Sequence, residues 1–117
     1  AADYSNLDPL SLIADNAWCG GIVIGSPLKS WRDVDLANQP AKLSYNGEIE
    51  YTNTSAAMGN PLNSLAWLAT LLAEQGRSLK AGDIVMSGST LATKFANQGD
   101  RACYEVEGIG AVEVSIE

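Results

Sequence analysis

The sequence predicts an α+β domain with two helices and a mixed, largely antiparallel sheet. Three observations lead to this prediction. An apolar stripe with helical spacing runs through residues 61–75, alternating runs flank Asn46-Gly47, and a second pair of strand-like runs flanks residues 108–110. Hairpins outnumber the crossover connections that a parallel sheet requires. At 117 residues, the chain is expected to be a single domain spanning residues 1–117.

The first helix is predicted from the run "DPLSLIADNAWCG". Asp8 can cap the N-terminus and Pro9 suits the first helical position. Two glycines end the run. The short apolar segment "GIVIG", residues 21–25, follows and is predicted to be a strand that is buried on both faces.

The clearest local signal is "AKLSYNGEIEYTNT", where two alternating runs enclose Asn46-Gly47. This dipeptide is favoured in the two-residue type I′ turn, so a hairpin is predicted here. Asn60 is predicted to cap the second helix, Pro61 to open it, and Gly76 to end it.

The stretch "GRSLKAGDIVMSGS", residues 76–89, then predicts a turn at Gly82-Asp83 and an apolar strand over residues 84–87. "RACYEVEGIGAVEVSIE" predicts the final pair of strands. The tally is two helices and six or seven short strands.

The composition excludes several function classes. A net charge of −7 with scattered basic residues argues against nucleic-acid and anionic-membrane partners. No apolar run approaches the roughly 20 residues of a membrane-spanning helix, and a cytoplasmic location is expected. The chain has no histidine, which excludes Ser-His-Asp and Cys-His catalysis. Cys19 and Cys103 are predicted to be reduced, buried thiols, with a disulfide as the alternative.

Two acidic pairs could hold a divalent cation. In a strand, Glu48 and Glu50 share one face, so both carboxylates could bind one Mg²⁺ or Mn²⁺. The favoured interpretation is a solvated hairpin face, and the same holds for Glu105 and Glu107, because neither pair comes with an evident third ligand.

Two further segments carry candidate binding residues. Ser87 and Ser89, around a glycine, offer hydroxyls and backbone amides that can receive a carboxylate, whereas the simpler interpretation is a polar loop. Asp15 and Asn16 could orient a ligand or a catalytic lysine, but such pairs more often cap and tether the backbone.

Four stretches taken together resemble the C-terminal part of the fumarylacetoacetate hydrolase superfamily. They are "LIADNAWCGGIVIG", "LSYNGEIEYTNTSAAMGNP", "LAWLATLLAEQGRSLKAGDIVMSGS" and "GDRACYEVEGIGAVEVSIE". The branch they resemble contains 2-hydroxypenta-2,4-dienoate (2-keto-4-pentenoate) hydratase and 4-oxalocrotonate decarboxylase. The resemblance implies a rolled sheet and enzymes of aromatic catabolism. These enzymes hydrate or decarboxylate small 2-oxo or 2-hydroxy dienoic acids with Mg²⁺ or Mn²⁺ as a Lewis acid.

The resemblance also implies roles for individual residues. Ser89, with Ser87 beside it, would lie near the substrate carboxylate, and Asp15 and Asn16 would border the same pocket. The family's metal ligands, a Glu-x-Glu pair and a third acidic residue, precede the Ala-Asp-Asn segment, so no metal ligand is assigned in this chain. Trp18 and Cys19 stand where the hydratases are expected to carry small polar residues.

Three interpretations follow from these departures. The chain can be a fragment of a full enzyme, a short gene product that has lost catalysis, or a chain that pairs with another polypeptide supplying the missing N-terminal half. We expect no metal to bind to it alone and no activity on its own. The alternative function is a non-catalytic module that binds a small 2-oxo acid or serves assembly. Because the sheet would be incomplete, a homo-oligomer is expected.

Overall fold

The structure is a computed structural model that describes residues 8–117. It contains helices α1 (Pro9–Ala14) and α2 (Pro61–Glu74) and strands β1 (Pro40–Tyr45), β2 (Glu48–Asn53), β3 (Arg101–Val106) and β4 (Gly110–Ser115). Short 3₁₀ turns span Asn16–Trp18, Trp31–Asp33 and Thr54–Ala56. None of the helices in the described range is long and apolar enough to cross a bilayer.

The four strands form one antiparallel sheet in the order β2-β1-β3-β4. The β1–β2 hairpin turns at Asn46 and Gly47, whose φ angles of 51° and 88° are both positive, as a type I′ turn requires. In the centre of the sheet, Leu43 lies opposite Glu50 of β2 and Tyr104 of β3. The predicted α+β class with its largely antiparallel sheet is confirmed.

Helix α2 begins and ends as its sequence predicts, whereas α1 ends at Ala14, before the predicted end at the two glycines, because residues 16–18 take positive φ angles. The Asn60 side chain accepts a hydrogen bond from the Leu62 N–H at 2.9 Å, and a proline follows the cap. At the other end of α2, Gly76 takes a φ of 70° and the Arg77 N–H donates to the Leu72 carbonyl at 2.8 Å. This is a Schellman motif, in which glycine avoids the steric cost of the left-handed conformation.

Two predicted strands are wrong. Residues 21–25 and 84–87 have no ladder partner among the described residues, and the four-stranded sheet forms without them. Ile22, Val23 and Ile24 are exposed instead of buried on both faces. The physical reason is that an apolar sequence becomes a strand only when another strand satisfies its backbone.

The cysteines are free, as predicted, but only partly buried. Cys19 is exposed and Cys103 is half-buried on β3. Their predicted burial is therefore wrong for Cys19, because the segment after α1 lies at the surface instead of entering a core.

The described chain encloses very little core. Within residues 8–117, the buried residues are Ala41, Ala57 and Thr54, which are 4–9% exposed, and no residue of α2 is among them. The accessible surface is 8853 Å². A compact monomer of 12.3 kDa exposes about 6,100 Å². The chain thus presents surface that an ordinary domain of its size would bury.

Candidate functional site

A cavity of about 1130 Å³ lies against one face of the sheet. We call this face the inner face. It carries alternate residues of the strands, and those lining the cavity are Leu43, Tyr45, Ala102, Tyr104, Val106 and Val114. The other wall is residues 86–94, which follow the predicted turn at Gly82-Asp83. In that turn the Lys80 N–H donates to the Asp83 carboxylate at 2.7 Å.

Polar contacts attach this wall to the sheet. The Thr52 hydroxyl of β2 donates to the Thr90 carbonyl at 2.7 Å, and the Thr90 hydroxyl lies 2.7 Å from the Tyr104 hydroxyl. Lys94 forms an ion pair with Glu50 on β2. Because these contacts come from two strands, they fix the hydroxyl-bearing segment across the cavity.

A further hydrogen bond attaches the wall to helix α2. The Ser64 hydroxyl donates to the Ser87 carbonyl at 2.5 Å.

Ser87 and Ser89, the predicted binding residues, both line the cavity. The Ser89 hydroxyl donates to the Leu91 carbonyl at 2.6 Å, so its proton is already used. Between the two serines, Gly88 has a φ of 115°, which side-chain-bearing residues rarely adopt. The backbone N–H groups of residues 88–90 form no backbone hydrogen bond with the rest of the described chain. These amides can receive a carboxylate.

The other two predicted binding residues lie outside the cavity lining. The carbonyl of Asp15 accepts from the Trp18 N–H at 3.0 Å, and the Asn16 side chain donates to the Cys19 carbonyl at 3.2 Å. Only Ala17, which follows them, lines the cavity. The structure thus brings Ser87 and Ser89 together and leaves Asp15 and Asn16 tethering the backbone. Their part in binding stays a prediction.

The backbone around this tether is strained. Asn16, Ala17 and Trp18 have φ angles of 51°, 51° and 61°. Each non-glycine residue in this conformation costs roughly 1–2 kcal/mol, although asparagine tolerates it better. Trp18 is half exposed and does not line the cavity, so its indole does not narrow the cavity.

The acidic pairs do not form a metal site. The Glu50 carboxylate pairs with Lys94, and Glu105 lies on the opposite face of the sheet, 2.9 Å from Lys42. Among residues 8–117, no group of three His, Cys, Asp or Glu side chains could hold a metal ion. The donor set in the described chain therefore does not fit a divalent cation.

Sequence reasoning missed a polar cluster at one end of the cavity. The Tyr45 hydroxyl donates to the Asp100 carboxylate, which also accepts from the Asn97 N–H at 2.8 Å and from the Asn46 side chain at 2.9 Å. Tyr45 and Asp100 both line the cavity. They are 55 positions apart in the chain, and no local pattern links them.

The hydrogen bonds of this cluster shift the pKa values of both Asp100 and Tyr45. Hydrogen bonds from the Asn97 N–H, the Tyr45 hydroxyl and the Asn46 amide lower the pKa of Asp100. The hydrogen bond to Asp100 raises the pKa of Tyr45. Because the pKa of Asp100 is lower in the folded chain, its ionised carboxylate stabilises the fold at pH values above the unfolded pKa of about 3.9. This stabilisation is lost as the pH falls through the pKa of the folded chain. Because the pKa of Tyr45 is raised in the folded chain, its protonated hydroxyl stabilises the fold at pH values below the unfolded pKa of about 10. This stabilisation is lost as the pH rises through the pKa of the folded chain.

We therefore expect Asp100→Asn to lower the free energy of unfolding at pH 7 and to flatten its dependence on pH below about 4. Urea unfolding at a series of pH values measures both effects. Asp33→Asn is the control, since that exposed carboxylate forms no side-chain hydrogen bond within the described residues. Identical pH curves for Asp100→Asn and the unchanged chain would contradict the role given to the cluster.

Comparison with known proteins places these features in a family. The family model described as fumarylacetoacetate (FAA) hydrolase C-terminal matches residues 1–117. The chain is 36% identical over 112 residues to a 4-oxalocrotonate decarboxylase of Pseudomonas putida, covering 93% of this chain and 42% of that protein. It is 38% identical over 104 residues to a 2-keto-4-pentenoate hydratase of Paraburkholderia phymatum, covering 88% and 40%.

Solved structures agree with this placement. The 4-oxalocrotonate decarboxylase of Pseudomonas putida G7, complexed with magnesium and adipate, matches with a TM-score of 0.87 at 33% identity, over 98% of this chain and 44% of that one. Its complex with calcium and acetate gives a TM-score of 0.85 at 34% identity, over 94% and 43%. The chain spans about two fifths of the length of these relatives. From its matched sequence and its fold, the chain belongs to the fumarylacetoacetate hydrolase family and corresponds to the C-terminal part of the family's hydratases and decarboxylases.

Proposed function

We propose that the chain forms the acid-binding wall of a hydratase or decarboxylase that acts on small 2-oxo or 2-hydroxy dienoic acids, and that it is inactive alone. One observation carries the proposal. The segment from Ser87 to Thr90 lines a cavity on the inner face, and the backbone N–H groups of residues 88–90 form no backbone hydrogen bond within the described chain. The relatives that share this fold include a decarboxylase complexed with adipate or acetate.

The hydrogen-bond donors present in this chain determine which part of the reaction it is proposed to serve. Backbone amides and hydroxyls bind a carboxylate by hydrogen bonds, and they supply no Lewis acid. In the family, a divalent cation polarises the 2-oxo acid and stabilises the developing enolate. The acidic side chains for such a cation are not assembled among residues 8–117. Recognition of the acid is therefore assigned to this chain and metal binding to residues outside the described ones.

Titration calorimetry with oxalate tests the acid-binding part of this proposal. We expect weak, roughly millimolar binding, about −4 kcal/mol, in buffer that contains EDTA and no divalent cation. Gly88→Ala should weaken it by about tenfold or more, because alanine disfavours the φ of 115° that aims the amides. Gly21→Ala is the matched control, since a side chain there meets nothing within 4 Å. Equal oxalate affinity in the two variants would contradict the assignment.

A second candidate function rests on a different observation. The exposed area of 8853 Å² exceeds that of a compact monomer by about 2,700 Å². This favours a non-catalytic module that binds a small acid or serves assembly, with self-association as its means of covering apolar surface. Turnover measured after the chain is combined with the N-terminal part of a related decarboxylase separates the two functions, because only the first makes the chain part of an active site.

A further inference from the structure

The cavity wall carries a positively charged side chain, Lys94, beyond the amides of residues 88–90. Arg101 is the other basic residue in the lining of the cavity. It directly precedes the inner-face residue Ala102 on β3, so its side chain belongs to the opposite face of the sheet. Within the described residues, Lys94 is therefore the cation that faces the cavity.

An ion pair holds the Lys94 ammonium over the inner face. Its partner Glu50 lies directly opposite Leu43, which lines the cavity, so Glu50 is also on the inner face. A lysine ammonium can donate three hydrogen bonds. Glu50 accepts one of them, and no other residue of the described chain accepts from Lys94. The ammonium thus keeps donors for an anion in the cavity.

The register of β2 sets the distance between the two polar ends of the wall. Thr52 binds the Thr90 carbonyl, and Glu50, two positions away on the same strand, binds Lys94. One strand residue advances about 3.3 Å, so these two points of attachment are roughly 7 Å apart. The carboxyl carbons of an extended six-carbon diacid are roughly 6 Å apart, because C–C bonds of about 1.5 Å join them in a zigzag. The amides and the ammonium can therefore bind the two ends of one such acid.

An apolar side chain and two hydroxyls lie between these ends. Leu43 lies opposite both Glu50 and Tyr104 in the sheet and lines the cavity. The hydroxyls of Thr90 and Tyr104 are 2.7 Å apart, and one of them donates to the other. The remaining O–H is available as a donor. This surface suits the carbon chain of an acid that has a polar group at each end.

We infer that Lys94 is a specificity-determining residue, which binds the second carboxylate of a dicarboxylic 2-oxo acid while the amides of residues 88–90 bind the first. This inference rests on the proposed function and narrows its substrate class. A cavity without this ammonium would offer the far end of a ligand apolar side chains and hydroxyls, and it would favour a monocarboxylic acid.

Titration calorimetry with two acids of equal length tests the inference. Adipate carries a carboxylate at each end, whereas hexanoate carries one and ends in a methyl group. In buffer that contains EDTA and no divalent cation, we expect the chain to bind adipate about tenfold more tightly than hexanoate. The reason is that only adipate can bind the amides and the Lys94 ammonium together.

Three substitutions locate the second carboxylate. Lys94→Met keeps an unbranched side chain and removes its charge, so adipate affinity should fall about tenfold, to that of hexanoate. Lys94→Arg restores a cation that binds carboxylates and should keep most of the preference. Lys42→Met is the matched control, because Lys42 also pairs with a glutamate of the sheet, Glu105 at 2.9 Å, but on the opposite face. It should leave both affinities unchanged.

Adipate that binds no more tightly than hexanoate, or that does not bind, would overturn the inference. An equal loss of adipate affinity in Lys94→Met and Lys42→Met would also overturn it, since net charge would then explain the preference.

Oxalate separates this inference from the proposed function. Its two carboxyl groups are directly bonded, so oxalate held by the amides cannot reach Lys94, and Lys94→Met should leave its affinity unchanged. A loss of oxalate affinity in Lys94→Met would place the lysine at the first carboxylate and overturn the inference. Absence of oxalate binding to the unchanged chain would reject the proposed function. Oxalate binding without a preference for adipate over hexanoate would reject the inference alone.

Discussion

At roughly tens of micromolar, the chain on its own is expected to sediment as a dimer or a larger assembly. The reason is that its accessible surface is larger than that of a compact monomer of the same mass. If two copies each buried their excess of about 2,700 Å², the total would be about 5,000 Å², at the upper end of the range for permanent interfaces. In the absence of a complementary polypeptide, the unpaired apolar segments are the surfaces available for this association.

Two matched substitutions locate the contact. Ile24→Lys is expected to raise the dissociation constant of the assembly by tenfold or more, because full burial of an isoleucine contributes about 1.5–3 kcal/mol. Ile49→Lys is the control. Ile49 is similarly exposed, at 52% against 63% for Ile24, but lies on strand β2, which is already paired with β1.

Sedimentation velocity over a range of concentrations measures both variants. A strictly monomeric chain at these concentrations would contradict the prediction. Equal effects of the two lysine substitutions would show that general exposure of apolar side chains drives association, instead of the unpaired segment.

The parts of the fold that the sequence predicted are those decided locally. The Asn46-Gly47 turn fixes its hairpin because both residues accept a positive φ, and Asn60 and Gly76 bound α2 through hydrogen bonds within a few positions. The segments 21–25 and 84–87 were wrongly predicted as formed strands. Their composition favours strands, but pairing depends on a partner that no local pattern supplies.

The candidate site also contains residues that a local sequence pattern reveals and residues that only the fold brings together. The position of Ser87 and Ser89 beside the cavity could be anticipated because small polar residues after an apolar run are visible in the sequence, and their part in binding stays a prediction. The Tyr45–Asp100 contact joins positions 55 apart and could be found only from the fold. Asp15 is the C-cap of α1, which agrees with the capping role that the sequence left open for it, and its part in ligand binding stays a prediction.

The second large effect concerns catalysis by the chain alone. In the family's chemistry, a divalent cation contributes several kcal/mol by stabilising the developing negative charge, which corresponds to a rate factor of a thousand or more. In the described residues, Glu50 and Glu105 are paired with lysines, and no three-ligand group is available. We therefore expect the chain to bind an acid without accelerating its hydration or decarboxylation.

The most direct test of this account is the absorbance of 2-hydroxypenta-2,4-dienoate followed with the chain alone in Mg²⁺ or Mn²⁺. A full-length 2-keto-4-pentenoate hydratase serves as the positive control. We expect a rate equal to that of buffer containing the same metal. Turnover that is proportional to the concentration of the chain, requires the cation and stops on addition of a chelator would contradict it.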